Sequence, residues 1–232
     1  MGVKPEVADA VRKALSVSRI STYEQAVSAE HPADAALDLY QWNATISAAF
    51  MLPLHICEVV IRNAVAEGLE ATYGAKWPWS AVFEASLPSA AVGYNQRLNL
   101  RQERDRHSTT GKVIAELKFV FWQKMFTRRH DTRLWDRHLR YLFPRLDPAQ
   151  PVAELRDVIY NDLEQIRLLR NRIAHHEPIF SRDLASDFQR IHALIHSRCP
   201  LTASWMSQAE TVRQSLASRP LGSSGGGSNS GS

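Results

Sequence analysis

Glycine, cysteine and lysine are all scarce in this 232-residue sequence, and each scarcity excludes something. Of ten glycines, five lie between Gly222 and Ser232, so the preceding 221 residues hold only Gly2, Gly68, Gly74, Gly93 and Gly111. Tight hairpin turns draw on glycine, and no stretch alternates apolar and polar residues with period two. A sheet-rich fold is therefore excluded. Two cysteines, Cys57 and Cys199, are too few for a disulfide framework and lack the spacing of metal ligands. The first 18 residues contain Glu6 and Asp9 and no apolar core of signal-peptide length. The most apolar run, Ile46 to Ile61, is interrupted by Pro53, His55 and Glu58 and is shorter than a bilayer span. The expectation is a soluble cytoplasmic protein with no membrane partner.

What is present reads as helices. Pro5 suits the first turn of a short helix reaching Val17, and Ser21 with Glu24 forms a capping-box pattern for a second. Pro32 opens an Ala-rich helix to Phe50, in which Leu37, Tyr40, Ala44 and Ala48 repeat at helical spacing. Pro53 starts another, Leu54 to Tyr73, with Gly74 as its C-cap. Residues 75–88 read as a packed loop. A polar helix from Ser89 to His107 follows, and Ser108 to Gly111 breaks it. Val113 to Lys124 carries an aromatic face. Asp131 to Phe143 is short and amphipathic. Pro151 opens a long helix that Pro178 ends near Glu177. Ser181 to His196 and Thr202 to Ser218 complete the set. The fold class expected is all-α, one helical domain over residues 36–218 preceded by N-terminal helices over 1–35. Residues 219–232 form a flexible Gly/Ser tail that carries no functional argument.

Charge is unevenly placed. The net +4 comes from 28 basic and 24 acidic side chains. Residues 1–96 hold six basic and ten acidic groups, residues 97–145 thirteen and five, and residues 146–232 nine of each. Among the cations are 22 arginines and only six lysines. Arginine pairs bidentately with phosphate and stacks on bases, so the middle third suggests RNA or DNA as a partner. Arg101, Arg104, Arg128, Arg129, Arg133 and Arg137 are the candidates there, with Arg172 further on. A solvated helix face, or neutralisation of the acidic first third, is the plainer alternative. The aromatics Phe119, Phe121, Trp122 and Phe126 follow helical spacing among aliphatics and read as core.

One segment is suited to chemistry: Leu168-Leu169-Arg170-Asn171-Arg172-Ile173-Ala174-His175-His176-Glu177-Pro178. Asn171 and His175 are four apart and share a helix face, so the amide could orient the imidazole. Arg172 and His176 are spaced in the same way. An arginine to neutralise phosphate and a histidine to move protons suffice for metal-free RNA cleavage, because the neighbouring 2′-hydroxyl is the nucleophile. The loose Arg-to-His spacing recurs at Arg101/His107, Arg133/His138 and Arg190/His196, and only Arg170 has Asn directly after it. Cations in the last helical turn also complement the helix dipole, which is the plainer reading. Glu58 and Arg62 form an i,i+4 pair, and Arg62-Asn63 echoes Arg170-Asn171, so these three are supporting candidates or a structural pair. Adjacent histidines cannot share a face, so His175-His176-Glu177 is not a metal motif. Neither a metal nor another cofactor is expected.

Three stretches carry a resemblance in chain order. Leu39-Tyr40-Gln41-Trp42-Asn43, Ala49-Phe50, Glu58-Val-Val-Ile-Arg62-Asn63-Ala64 and Tyr73-Gly74 come first. Gly111 to Trp122, Leu134-Trp135 and Phe143-Pro144 follow, and Leu169 to Phe180 closes the series. Over residues 36–180 the sequence resembles the Abi-like (abortive infection) proteins of the HEPN superfamily. At Lys118-Phe119-Val120-Phe121 it departs from a smaller Ser-Phe-Gly-Phe stretch usual in the family. The resemblance implies a HEPN-like helical bundle and a metal-independent endoribonuclease of bacterial phage-defence or toxin–antitoxin systems. It implies that the Arg-x4–6-His motif falls on Arg170, Asn171 and His175, with Arg170/His176 also fitting. It further implies a homodimer that brings two motifs together, with cellular or phage RNA as substrate and a small RNA antitoxin as a further partner. The alternatives are a non-catalytic RNA-binding regulator and a structural partner in a larger defence complex.

Overall fold

A computed structural model describes residues 4–27 and 32–220; the Gly222–Ser232 tail lies outside the described residues. Among these residues there are twelve α-helices and no β-strand. They are α1 (Pro5–Leu15), α2 (Val17–Glu24), α3 (Pro32–Tyr73), α4 (Ala81–Ser86), α5 (Gln96–Arg106) and α6 (Thr110–Glu116). Then come α7 (Phe119–Met125), α8 (Asp136–Leu142), α9 (Val152–Ala174), α10 (Leu184–Arg198), α11 (Pro200–Ala209) and α12 (Val212–Ala217). The all-α expectation holds.

Several boundaries differ from the sequence reading, each for a physical reason. Pro53 does not start a helix; it lies inside the 42-residue α3. A proline in a helix interior costs about 3 kcal/mol. Phe50, Leu54, Cys57 and Ile61 on either side of it are buried, and each such side chain returns about 1.5–3 kcal/mol. Packing therefore overrides the local penalty. The stripe that α3 buries in its first half is Ala36, Leu39, Ile46 and Phe50, while Ala44 and Ala48, expected on the apolar face, are exposed. Ser21 is not a cap: Ser16, with φ 75°, separates α1 from α2 and its side chain accepts from Arg19 N. The aromatic helix is split at Leu117–Lys118 into α6 and α7, and α6 is capped by Thr109. The polar helix starts at Gln96, seven residues later than expected, because Asn95 accepts from Leu98 N at 2.9 Å and caps it there.

Fusing the two expected helices makes residues Asp34–Tyr73 long and apolar enough, by length and composition, to cross a membrane. The buried residues just named belong to the protein's own core, as they would in a core helix.

The chain divides into two compact units, with boundaries inside α3 after Pro53 and inside α9 after Leu168. Of the described residues, unit 1 comprises 4–27, 32–53, 169–189 and 209–220. Its core gathers Ile20, Leu39, Trp42, Ile46, Phe50, Ile179, Phe180 and Phe188. Trp42 Nε1 donates to Ser215 O at 2.7 Å, which ties α12 to α3. Tyr23 of α2 is 1% exposed and packs against Tyr40 and Phe180, so the N-terminal helices share this core.

Unit 2 comprises residues 54–168 and 190–208 and has an aromatic core. Trp77 meets Phe83 and Trp122 edge-on, and Phe126 stacks on Trp135 with centroids 4.3 Å apart. The four aromatics of residues 119–126 are buried as expected. Residues Asp131–Trp135 form a wide π turn ahead of α8. Arg156, only 4% exposed, donates to both oxygens of Asp131, at 2.9 and 3.1 Å, and also pairs with Asp157.

Candidate active site

The helix end that carries the Arg–His spacing lies in unit 1. α9 stops at Ala174, and the chain leaves it through a defined cap. His176 N donates to Ile173 O at 3.0 Å and Glu177 N to Arg172 O at 2.8 Å. That pair of bonds is a Schellman cap, in which the residue after the C-cap takes the left-handed conformation usually filled by glycine. Here it is His176, with φ 55°. The cap therefore fixes where this imidazole leaves the backbone.

Three side chains hold the loop beyond the cap. Asn43 of α3, itself buried, accepts from Ile179 N at 2.8 Å. Arg172 Nη1 donates to Pro178 O at 3.1 Å. Arg19 Nη1 of α2 donates to the carbonyl of His176 at 2.6 Å. Arg172, a sequence candidate for RNA contact, thus has a part in closing this loop.

Beside the loop is a cleft of about 480 Å³. Arg170, Ile173 and Ala174 line it from α9, with His176 and Glu177 beyond the helix end. Asn43, Ala44, Ser47, Ala48 and Met51 line it from α3, while Tyr23 and Tyr40 complete the wall. Positions 170, 173 and 174 share one face of α9, and positions 171 and 175 are turned about 100° and about 140° from Arg170. Accordingly Arg170 and His176 face one space, whereas Asn171 (half-buried) and His175 (exposed) are not among its lining residues. Burial, with a smaller contribution from Tyr40, pushes the Tyr23 hydroxyl up to about 12, although Arg19 opposes it. Tyr23 is therefore a neutral group at neutral pH. The site can present a guanidinium and an imidazole to an anion lying over an apolar floor.

The remaining candidates belong to unit 2. Glu58, Arg62 and Asn63 lie on the second half of α3, where Glu58 and Arg62 are half-buried and Asn63 is exposed. The arginines of the basic third separate into two groups. Arg101 and Arg104 both pair with Glu84, the second at 2.6 Å. Burial alone would raise the Glu84 carboxyl, but the two guanidinium hydrogen bonds bring it below the usual carboxylate range. Arg97 is taken up by the carbonyls of Ala85 and Leu87, and Arg140 by those of Asp147 and Gln150. Arg128, Arg129, Arg133 and Arg137 are exposed, and none makes an ion pair or side-chain hydrogen bond among the described residues.

Sequence reasoning did not single out Tyr23, Asn43 or the row formed by Ala44, Ser47, Ala48 and Met51. The signal for the last was present: these residues repeat at i, i+3, i+4 and i+7, about a third of a turn from the buried stripe. Among the described residues no group of three His, Cys, Asp or Glu side chains is placed to hold a metal ion. Compared with protein-family models, curated proteins and solved structures, the chain matches none.

Proposed function

We propose that this chain is a HEPN-type, metal-independent endoribonuclease of a bacterial phage-defence or toxin–antitoxin system, acting in the cytoplasm as a homodimer. The observation that carries the reading is the shared cleft of unit 1, lined by both Arg170 and His176. The order of Abi-like motifs along residues 36–180 supports it as a resemblance.

In the proposed reaction the 2′-hydroxyl of one nucleotide attacks the adjacent phosphorus, and the bond from phosphorus to the 5′-oxygen breaks. His176 takes the proton from the 2′-oxygen, while Arg170 stabilises the extra negative charge on the pentacoordinate phosphate. The equivalent histidine of a second copy protonates the departing 5′-oxygen. The products are a 2′,3′-cyclic phosphate and a 5′-hydroxyl, so no nucleophile from the protein is consumed. Asn171 and His175, one face away, form the second tier of the motif.

Incubating an RNA pool with the protein in EDTA tests this. The unsubstituted protein should generate cyclic-phosphate ends, and Arg170→Ala or His176→Gly should lose about 10²–10⁴ of the rate. Equal cleavage by all three proteins, or strict dependence on added metal, would sink the reading. The second reading, an RNA-binding regulator without catalysis, is favoured by one observation. The exposed, unanswered arginines 128, 129, 133 and 137 lie in unit 2, whereas the cleft belongs to unit 1.

A further inference from the structure

We infer that Tyr141, with Arg133 and Arg137, forms a stacking site for single-stranded RNA on unit 2. This inference rests on the RNA reading above. Residues 97–145 contain seven aromatic side chains. Phe119, Phe121, Trp122, Phe126, Trp135 and Phe143 are buried, whereas Tyr141 is 71% exposed. A tyrosine ring on a helix with most of its surface in water leaves its apolar face unpaired, and that is what an unstacked base covers.

Its neighbours select the partner. Arg137 is four residues before Tyr141 on α8, and Arg133 four before that on the π turn. Residues four apart on a helix are neighbours on its surface, so the three make a row. Asp136 is the only acid in α8; of the acids near its ends, Asp131 is engaged by Arg156 and Glu67 by Arg198, while Asp147 follows α8 in the chain. Arg140, on the same helix, is bonded to the carbonyls of Asp147 and Gln150 and does not belong to the row. A row of unanswered guanidinium groups ending in an open aromatic ring matches a chain that alternates phosphates with exposed rings. An acidic protein segment supplies the charge and not the rings. A double-stranded RNA supplies the phosphates but keeps its bases stacked on one another.

The test uses the full chain carrying Arg170→Ala, so that RNA remains intact, and reads fluorescence anisotropy with a labelled 12-nucleotide RNA. Within that background Tyr141→Ala should weaken single-strand binding about tenfold, and Tyr141→Phe should leave it unchanged. Binding of a duplex of the same sequence should not respond to Tyr141→Ala. Arg133→Gln with Arg137→Gln should lower the salt dependence of single-strand binding by about 1.4 in log–log slope, at about 0.7 for each phosphate no longer neutralised. Equal binding by the Tyr141→Ala protein would overturn the inference. So would equal losses for single strand and duplex, absence of RNA binding by the parent, or a polyglutamate peptide that displaces the RNA with the same sensitivity to Tyr141. The two claims fail separately. Binding that depends on Tyr141, without cleavage by the unsubstituted protein, removes only the nuclease reading. Cleavage together with binding indifferent to Tyr141 removes only the stacking site.

Discussion

In unit 2, Arg156 is almost wholly buried and answered by two carboxylates, and Glu84 is gripped by two arginines. In unit 1, Arg170 and His176 line a cleft, and beside it Arg19, Arg172 and Asn43 hold backbone. The same residue types thus do different work. A buried pair joins elements, and removing one partner strands the other charge. At the cleft, the chain fixes where an imidazole emerges without enclosing it. Charge counts alone do not separate these uses; burial and partners do.

Breaking a buried pair should have the largest effect on stability. Asp131→Ala removes the bidentate partner of the Arg156 guanidinium and leaves it only Asp157, so it should destabilise unit 2 by about 3 kcal/mol, the low end of the cost of breaking a buried pair, read from denaturant midpoints. Asp131→Asn, which keeps one acceptor, should cost less.

His130 is next. It is 2% exposed, and its Nε2 is buried without a partner. Burial, reinforced by Arg129 and Arg133, pulls its pKa down to about 4 from an ordinary 6.5. Between these values the unfolded chain binds a proton that the folded chain does not. Stability is therefore complete above about pH 6.5 and falls as the pH drops toward 4, by about 3 kcal/mol from this group. Subtracting the pH–stability profile of His130→Phe from that of the parent should isolate this slope, and a flat difference would refute it.

Two substitutions in unit 1 sharpen the contrast. Asn43→Ala strands the Ile179 amide and should cost about 1–3 kcal/mol, while Asn43→Asp keeps the acceptor and should cost less. His176→Gly should go the other way. A left-handed position costs a residue with a Cβ about 1–2 kcal/mol, more than the about 0.4–1 kcal/mol that glycine's extra unfolded-chain entropy takes back, so thermal stability should rise modestly even as the imidazole disappears. A clear loss of stability would mean that the His176 side chain packs structurally.

Much of the helical plan was legible because helix formation follows local period and caps. Pro5 and Gly74 mark ends that the structure also has, whereas the helix expected to reach Glu177 before Pro178 stops at Ala174. The sequence misled where packing outweighed a local signal, as at Pro53. It also misled where a side chain chose among near-equal starts, as Asn95 did for α5 and Ser16 for α2. At the site, the Arg170–His spacing could be read directly, but the choice between His175 and His176 could not. It depends on which residue occupies the left-handed cap, and Ala174-His175-His176-Glu177 offers no glycine or asparagine to mark it. The contribution of Tyr23 was hidden for a different reason: the packing of α2 against the Tyr40–Phe180 pair joins residues far apart in the chain. Neutralisation of the acidic first third was one reading of the charge distribution, and Glu84 of that third does answer Arg101 and Arg104, but which arginines it would take was not legible.

The central claim is that Arg170 and His176 act together on a phosphodiester. The most direct test is the end chemistry of RNA incubated in EDTA with the parent, Arg170→Ala, His175→Ala and His176→Gly. The account predicts 2′,3′-cyclic phosphate ends from the parent, a loss of at least about a hundredfold for Arg170→Ala and His176→Gly, and a smaller loss for His175→Ala. Full activity in His176→Gly, with abolition in His175→Ala, would contradict it.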